Sequence, residues 1–99
     1  MDNFNKLINS DKPVLVDFFA DWCGPCKMLA PELVSLKEKV GDSMSIVKIN
    51  VDKNQQLAAH FQVRGVPTMI LFKSGEILWR QSGYMNADQL QGTLTQLIS

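Results

Sequence analysis

Much of what would assign a class to this chain is missing from it. No stretch approaches the ~20 apolar residues of a membrane-spanning helix, and the amino terminus, MDNFNKLINSDKPV, lacks the apolar run of a secretory signal. No membrane partner is expected, and a cytoplasmic address is the default expectation. An excess of one charge is missing too. Ten basic and ten acidic side chains cancel, which gives no general pull toward nucleic acid. There is one histidine, His60, and there are two cysteines. A structural zinc site takes about four ligands, so no metal is expected and His60 reads as a helix-surface residue. No linker, repeat or low-complexity tract divides the 99 residues, which fit one domain, 1–99.

What is present is a regular alternation of helical and extended patterns. Residues 3–9 read as a short helix with Phe4, Leu7 and Ile8 on one face. PVLVDFFA (13–20) is a near-continuous apolar run rich in valine and phenylalanine, as in a strand covered on both sides. A helix is expected from about Cys23 to Val40, with Met28, Leu29, Leu33, Leu36 and Val40 apolar, and Gly41 ends it. MSIVKINV (44–51) is the next strand. NQQLAAHF (54–61) reads as a short helix capped by Asn54. TMILFK and EILWRQ flank Ser74-Gly75 as a hairpin. From Asn86 to Ile98 a last helix is expected, with Asn86 and Gln89 as a capping box and Leu90, Leu94, Leu97 and Ile98 apolar. The β-α-β crossover implies parallel strands and the hairpin an antiparallel pair. The fold class is therefore α/β, a mixed sheet with helices on both faces.

Both cysteines fall in DWCGPCKMLAP (21–31), two residues apart. A disulfide there closes too short a loop to remove much unfolded-chain entropy, and reducing compartments do not favour structural disulfides. Thiol–disulfide exchange fits better. It needs one exposed thiol acidic enough to attack near neutral pH and a second thiol in reach. Cβ atoms three residues apart on a helix lie roughly 5–6 Å apart, against roughly 3.5–4.5 Å in a disulfide, so a small adjustment of a first turn opens and closes the pair. With Cys23 as N-cap, Gly24 and Pro25 take the first two helical positions. Pro25 has no N–H but a suitable φ. The N–H of Cys26 then points at the Cys23 sulfur and, with the positive helix end, favours its thiolate. Cys23 is the expected nucleophile, Cys26 the buried resolving thiol, and Gly24 leaves room for another polypeptide. Asp17 stands inside the apolar strand, where an ionised carboxylate is costly, so burial should raise its pKa. Pro31 cannot donate to the carbonyl of Lys27 and should kink the long helix.

WCGPCK (22–27) resembles the thioredoxin family, and the likeness extends through VLVDFFADWCGPCKMLAP, VRGVPT and SGY over nearly the whole chain from about Lys12. The resemblance implies a central sheet of about four strands, since the family's first edge strand is short or absent here unless residues near Met1 add one. It implies Pro67 in cis, with Val66 pairing with clients by β-augmentation. Trp22, Gly65, Val66, Pro67, Gly83 and Tyr84 would form the docking surface around Cys23, with Trp22 partly exposed. Asp17 would help Cys26 lose its proton through water, with Lys48 approaching that carboxylate from the neighbouring strand. Phe19 stands where the family often has tryptophan. The implied activity is general protein-disulfide reduction by a monomer with no bound cofactor. Its partners would be client disulfide proteins and a flavin- and NADPH-dependent thioredoxin reductase. Rival readings are an oxidase or isomerase on the same fold and a non-catalytic binding subunit. Gly24-Pro25 resembles the reducing members, whereas a histidine there resembles oxidising ones.

Overall fold

A computed structural model describes residues 2–99, so any strand contributed by Met1 lies outside the described residues. The order is α1 (Asp2–Ile8), β1 (Val14–Phe19), α2 (Gly24–Val40), β2 (Ser45–Asn50), α3 (Gln55–His60), β3 (Thr68–Lys73), β4 (Glu76–Ser82) and α4 (Ala87–Ile98), with one 3-10 turn at Gly41–Ser43. Among the described residues the sheet has four strands in the order β2-β1-β3-β4. β1 and β2 run parallel, with Asp17 opposite Lys48. β1–β3 and β3–β4 are antiparallel. The expected mixed α/β sheet is the observed one. No described helix is long and apolar enough to cross a membrane.

Alternation along β1 sorts the two cores. Leu15 joins Leu29, Leu33 and Leu36 of α2, Leu90 and Leu94 of α4, and Met69 and Leu71 of β3. Val14, Val16 and Phe18 face the other way, onto Phe4 and Ile8 of α1, Leu57 of α3, and Ile70 and Phe72 of β3. Helices therefore cover both faces, which is why β1 and β3 read as unbroken apolar runs. By the same alternation Asp17 shares the α2 side with Leu15.

The local signals resolve individually. Ser74 and Gly75 have φ of 52° and 82°, the positive pair that a two-residue hairpin turn of matching twist requires. Asn86 and Gln89 form the reciprocal capping box that opens α4. Gly41, at φ 56°, ends α2. α2 runs through Pro31 without interruption.

Three expectations need correction. Asn54 precedes α3 but does not cap it with its side chain; its amide donates instead to the carbonyl of Asn50, 3.0 Å away, because the turn after β2 bends that carbonyl toward it. Met28 is 62% exposed. The buried stripe of α2 is Cys26, Leu29, Leu33 and Leu36, a 3-4-3 spacing that leaves position 28 on the outer face. Leu97 is likewise exposed, because the inner stripe of α4 runs Ala87, Leu90, Leu94 and then Ile98.

Candidate active site

Cys23 is the N-cap of α2, in extended backbone at φ −90° and ψ 114°. Its Sγ accepts from the backbone N–H of Cys26 at 3.1 Å, and Gly24 and Pro25 fill the first turn. A proline there costs nothing, since that N–H would have no helical partner anyway. The two cysteines are joined as a disulfide, with Cα atoms 5.3 Å apart. A side chain added at Gly24 would meet nothing within 4 Å, so the approach over the first turn is open.

One expectation about the pair is corrected by the closed form. Cys23 was expected to be the exposed sulfur and Cys26 the buried one, yet they are 3% and 4% exposed. Closing the ring seats both in a small apolar cluster with Ala20, against Phe19, Val51 and Val66. What distinguishes the sulfurs is position. Cys23 caps the helix and lies 3.6 Å from the carbonyl oxygen of Val66, whereas Cys26 is inside the first turn and lines a cavity of about 170 Å³ with Phe19, Ala20, Asp21, Lys27, Ala30 and Lys48.

The loop facing Cys23 is held in one shape. The Val66–Pro67 bond is cis. Pro67 is buried, Val66 half-buried and Gly65 exposed. The hydroxyl of Thr68 donates to the carbonyl of Gly65 at 2.7 Å and lies 3.1 Å from that of Ser82. The N–H of Gly83, at φ 99°, donates to the carbonyl of Pro67 at 2.9 Å. Tyr84 is exposed beside it. On the opposite rim Trp22 is 71% exposed, more than expected, and its indole N–H donates to Asp52 at 2.9 Å. Of the residues expected to dock clients, Val66 packs against the cysteines, Gly83 is bonded to Pro67 of the same loop, and Trp22 directly precedes Cys23 in the chain.

Behind it, Asp17 is fully buried, and neither carboxylate oxygen has a hydrogen-bond partner among the described residues. Burial pushes its pKa up from 3.8 to about 6, partly opposed by the positive charge of Lys48. Lys48 lies opposite Asp17 in the parallel register but is exposed, its amine 4.6 Å from the centroid of the Phe19 ring. It acts on Asp17 through its field. A carboxyl that titrates near 6 without being tied into an ion pair can take up and return a proton near neutral pH.

Asp52 and Arg80 lie in none of the family motifs, and Thr68 and Ser82, though they stand in VRGVPT and SGY, were assigned no role. Asp52 lies 30 residues from the indole it holds, and Ser82 comes 14 after Thr68, so only the folded sheet brings them together. Among the described residues no group of three or more His, Cys, Asp or Glu side chains could hold a metal ion.

Comparison with known proteins gives one answer. The family profile described as thioredoxin matches residues 1–96. The chain is 43% identical over 96 residues to the thioredoxin of Alicyclobacillus acidocaldarius, covering 97% of this chain and 91% of that one. It is 46% identical over 92 residues to the thioredoxin of Haemophilus influenzae, covering 93% and 86%. Among solved structures, the thioredoxin of Malassezia sympodialis superposes with a TM-score of 0.89 at 34% identity, covering 99% of this chain and 88% of that one.

Proposed function

Since the chain belongs to the thioredoxin family and is a protein-disulfide oxidoreductase of that type, we propose that Cys23 is the attacking thiolate and Cys26 the resolving thiol in the reduction of protein disulfides. The supporting observation is the Cys23 sulfur at the head of α2, accepting the N–H of Cys26 within a disulfide to Cys26. In the reduced protein that N–H and the helix end stabilise negative charge on Cys23.

The thiolate of Cys23 attacks one sulfur of a client disulfide. The client's other sulfur leaves as a thiolate and takes a proton from water, and a mixed disulfide joins Cys23 to the client. Cys26 then loses its proton, and its thiolate attacks the Cys23 sulfur. The Cys23–Cys26 bond forms as the client sulfur departs. Two electrons have passed from the protein to the client. Asp17, ionised above about pH 6, receives the Cys26 proton through water in the cavity that Cys26 and Lys48 line. Clients lie across Trp22, Gly65, Val66, Gly83 and Tyr84, with an extended client segment against the Val66 backbone and Pro67 turning the loop toward the sulfurs.

A flavin- and NADPH-dependent thioredoxin reductase returns the electrons, as the family's chemistry implies, and the protein works as a cytoplasmic monomer. Equilibrium titration of the pair against glutathione separates this reading from an oxidase. The disulfide is expected to persist until the buffer is strongly reducing. Half-reduction in oxidising glutathione buffers would reverse the direction of electron flow.

A further inference from the structure

The loop that carries Val66 and Pro67 is fastened at its other end by a residue outside the site. α3 stops at His60, and the chain turns at Gln62, which has φ of 55°, an unfavourable conformation for a residue with a side chain. Carbonyls at a helix end have no helical donors. The guanidinium of Arg80 supplies them: Nη1 donates to the carbonyl of Phe61 and Nη2 to that of Gln62, the latter at 2.7 Å. The planar fork of arginine suits two successive carbonyls, which a lysine could not bridge in the same way. Phe61 is itself set among Phe4, Phe18 and Phe72, with ring centroids 5.2–6.3 Å away.

Four residues separate Gln62 from Pro67, and β4 touches this short span repeatedly. Arg80 and Ser82 are two apart on β4 and so share a face. Arg80 grips the carbonyls of Phe61 and Gln62. Ser82 braces Thr68, which holds the carbonyl of Gly65. Gly83 holds the carbonyl of Pro67. The backbone freedom of Val66, whose carbonyl sits beside the Cys23 sulfur, is thereby limited from both ends.

We propose that Arg80 is a positioning residue for client recognition: by clamping Phe61 and Gln62 to β4 it presents the Val66 backbone as a preformed edge for an extended client segment. This rests on the reading that clients dock along Val66. A preformed edge spares the client part of the ordering cost on binding, so Arg80 should govern reaction with polypeptide disulfides. A small disulfide that makes no backbone pairing should be indifferent to it.

The test uses the pre-reduced full chain and measures second-order rate constants with insulin and with bis(2-hydroxyethyl) disulfide. Arg80→Ala should slow insulin by about fivefold, the order expected for loss of a solvent-exposed charge-assisted pair of bonds, and leave the small disulfide unchanged. Arg80→Lys, which keeps the charge and N–H donors but on a single nitrogen without the planar fork, should fall between. A loss of thermal stability with an unchanged insulin rate, or equal slowing of both substrates, would overturn the proposal. Val66→Glu, which places a charge on the docking edge, locates any failure. If it slows insulin selectively while Arg80→Ala does not, the docking surface stands and the role of Arg80 is wrong. If neither variant discriminates between the substrates, docking along Val66 is wrong and the proposal falls with it.

Discussion

Reduced Cys26→Ser protein mixed with insulin should accumulate a covalent adduct through Cys23, while Cys23→Ser forms no such adduct, and both variants lose catalytic turnover to the uncatalysed background. The expectation follows from the division of labour in the first turn of α2. Removing Cys26 leaves the N–H that it donates to Cys23 in place, because that donor is backbone, so the first attack survives. What disappears is the intramolecular thiol that would break the mixed disulfide. Its advantage is proximity, with Cα atoms 5.3 Å apart, and an external thiol has to compete without it. Serine cannot replace either sulfur in exchange chemistry. Non-reducing gel electrophoresis and mass spectrometry read the adduct directly. An adduct through Cys26 in the Cys23→Ser protein would invert the roles. Full insulin reduction by both variants would make the chain a binding module that happens to carry a disulfide.

The second large effect belongs to Asp17, and it should appear in both stability and kinetics. Its pKa is about 6 in the folded protein against 3.8 for an ordinary aspartate. Below pH 3.8 the group is protonated whether the chain is folded or not. As the pH rises from there toward 6, the unfolded chain releases this proton first, so the folded state loses stability across that window. Above about pH 6 the loss is complete. Two pKa units and a fraction correspond to roughly 3 kcal/mol, and the carboxylate is fully buried, so little solvent screening reduces it. Urea unfolding of the oxidised protein at pH 4 and pH 8 checks this: part of the loss has already occurred at pH 4, so the wild type should lose about 2.4 kcal/mol more between those values than Asp17→Asn does. An identical pH dependence in the two proteins would mean that Asp17 is not titrating in an apolar site. In kinetics, Asp17→Asn should slow release of the client from the mixed disulfide by about tenfold at pH 7.5. A directly bonded general base contributes roughly 10²–10⁴-fold, and here water intervenes. The first attack should change much less, and the inflection of the release rate near pH 6 should vanish. Equal slowing of both steps would take Asp17 out of proton transfer.

How much of this could be read before the fold was known varies from residue to residue. Asp17 was conspicuous because a carboxylate inside VLVDFF contradicts its surroundings, and period-two alternation alone puts it on one face with Leu15. The Cys23 cap was equally legible, since N-cap geometry depends only on the next three residues. So were the Ser74-Gly75 turn and the Asn86–Gln89 box, which are local in the same way. Phase errors of one residue account for Met28 and Leu97: a helix stripe is about 100° wide, and a hydrophobic side chain at its edge looks like a member of it. The exposure of Cys23 was misjudged for a different reason. Whether a sulfur at a helix start meets solvent depends on Val66 and Val51, which arrive from other parts of the chain. Arg80 was invisible for that reason as well, its partners lying 18 and 19 residues upstream and being backbone carbonyls with no side-chain signature.

The central claim is that the helix end makes Cys23, and not Cys26, the anionic sulfur of the reduced pair. Alkylation by substoichiometric iodoacetamide across pH 5 to 9, with the modified peptide identified by mass spectrometry, measures this most directly. Cys23 should be carboxamidomethylated far faster than Cys26 throughout, at a rate that has already levelled off below the pH at which an ordinary thiol ionises. Labelling that favours Cys26, or that divides equally between the two, would contradict it.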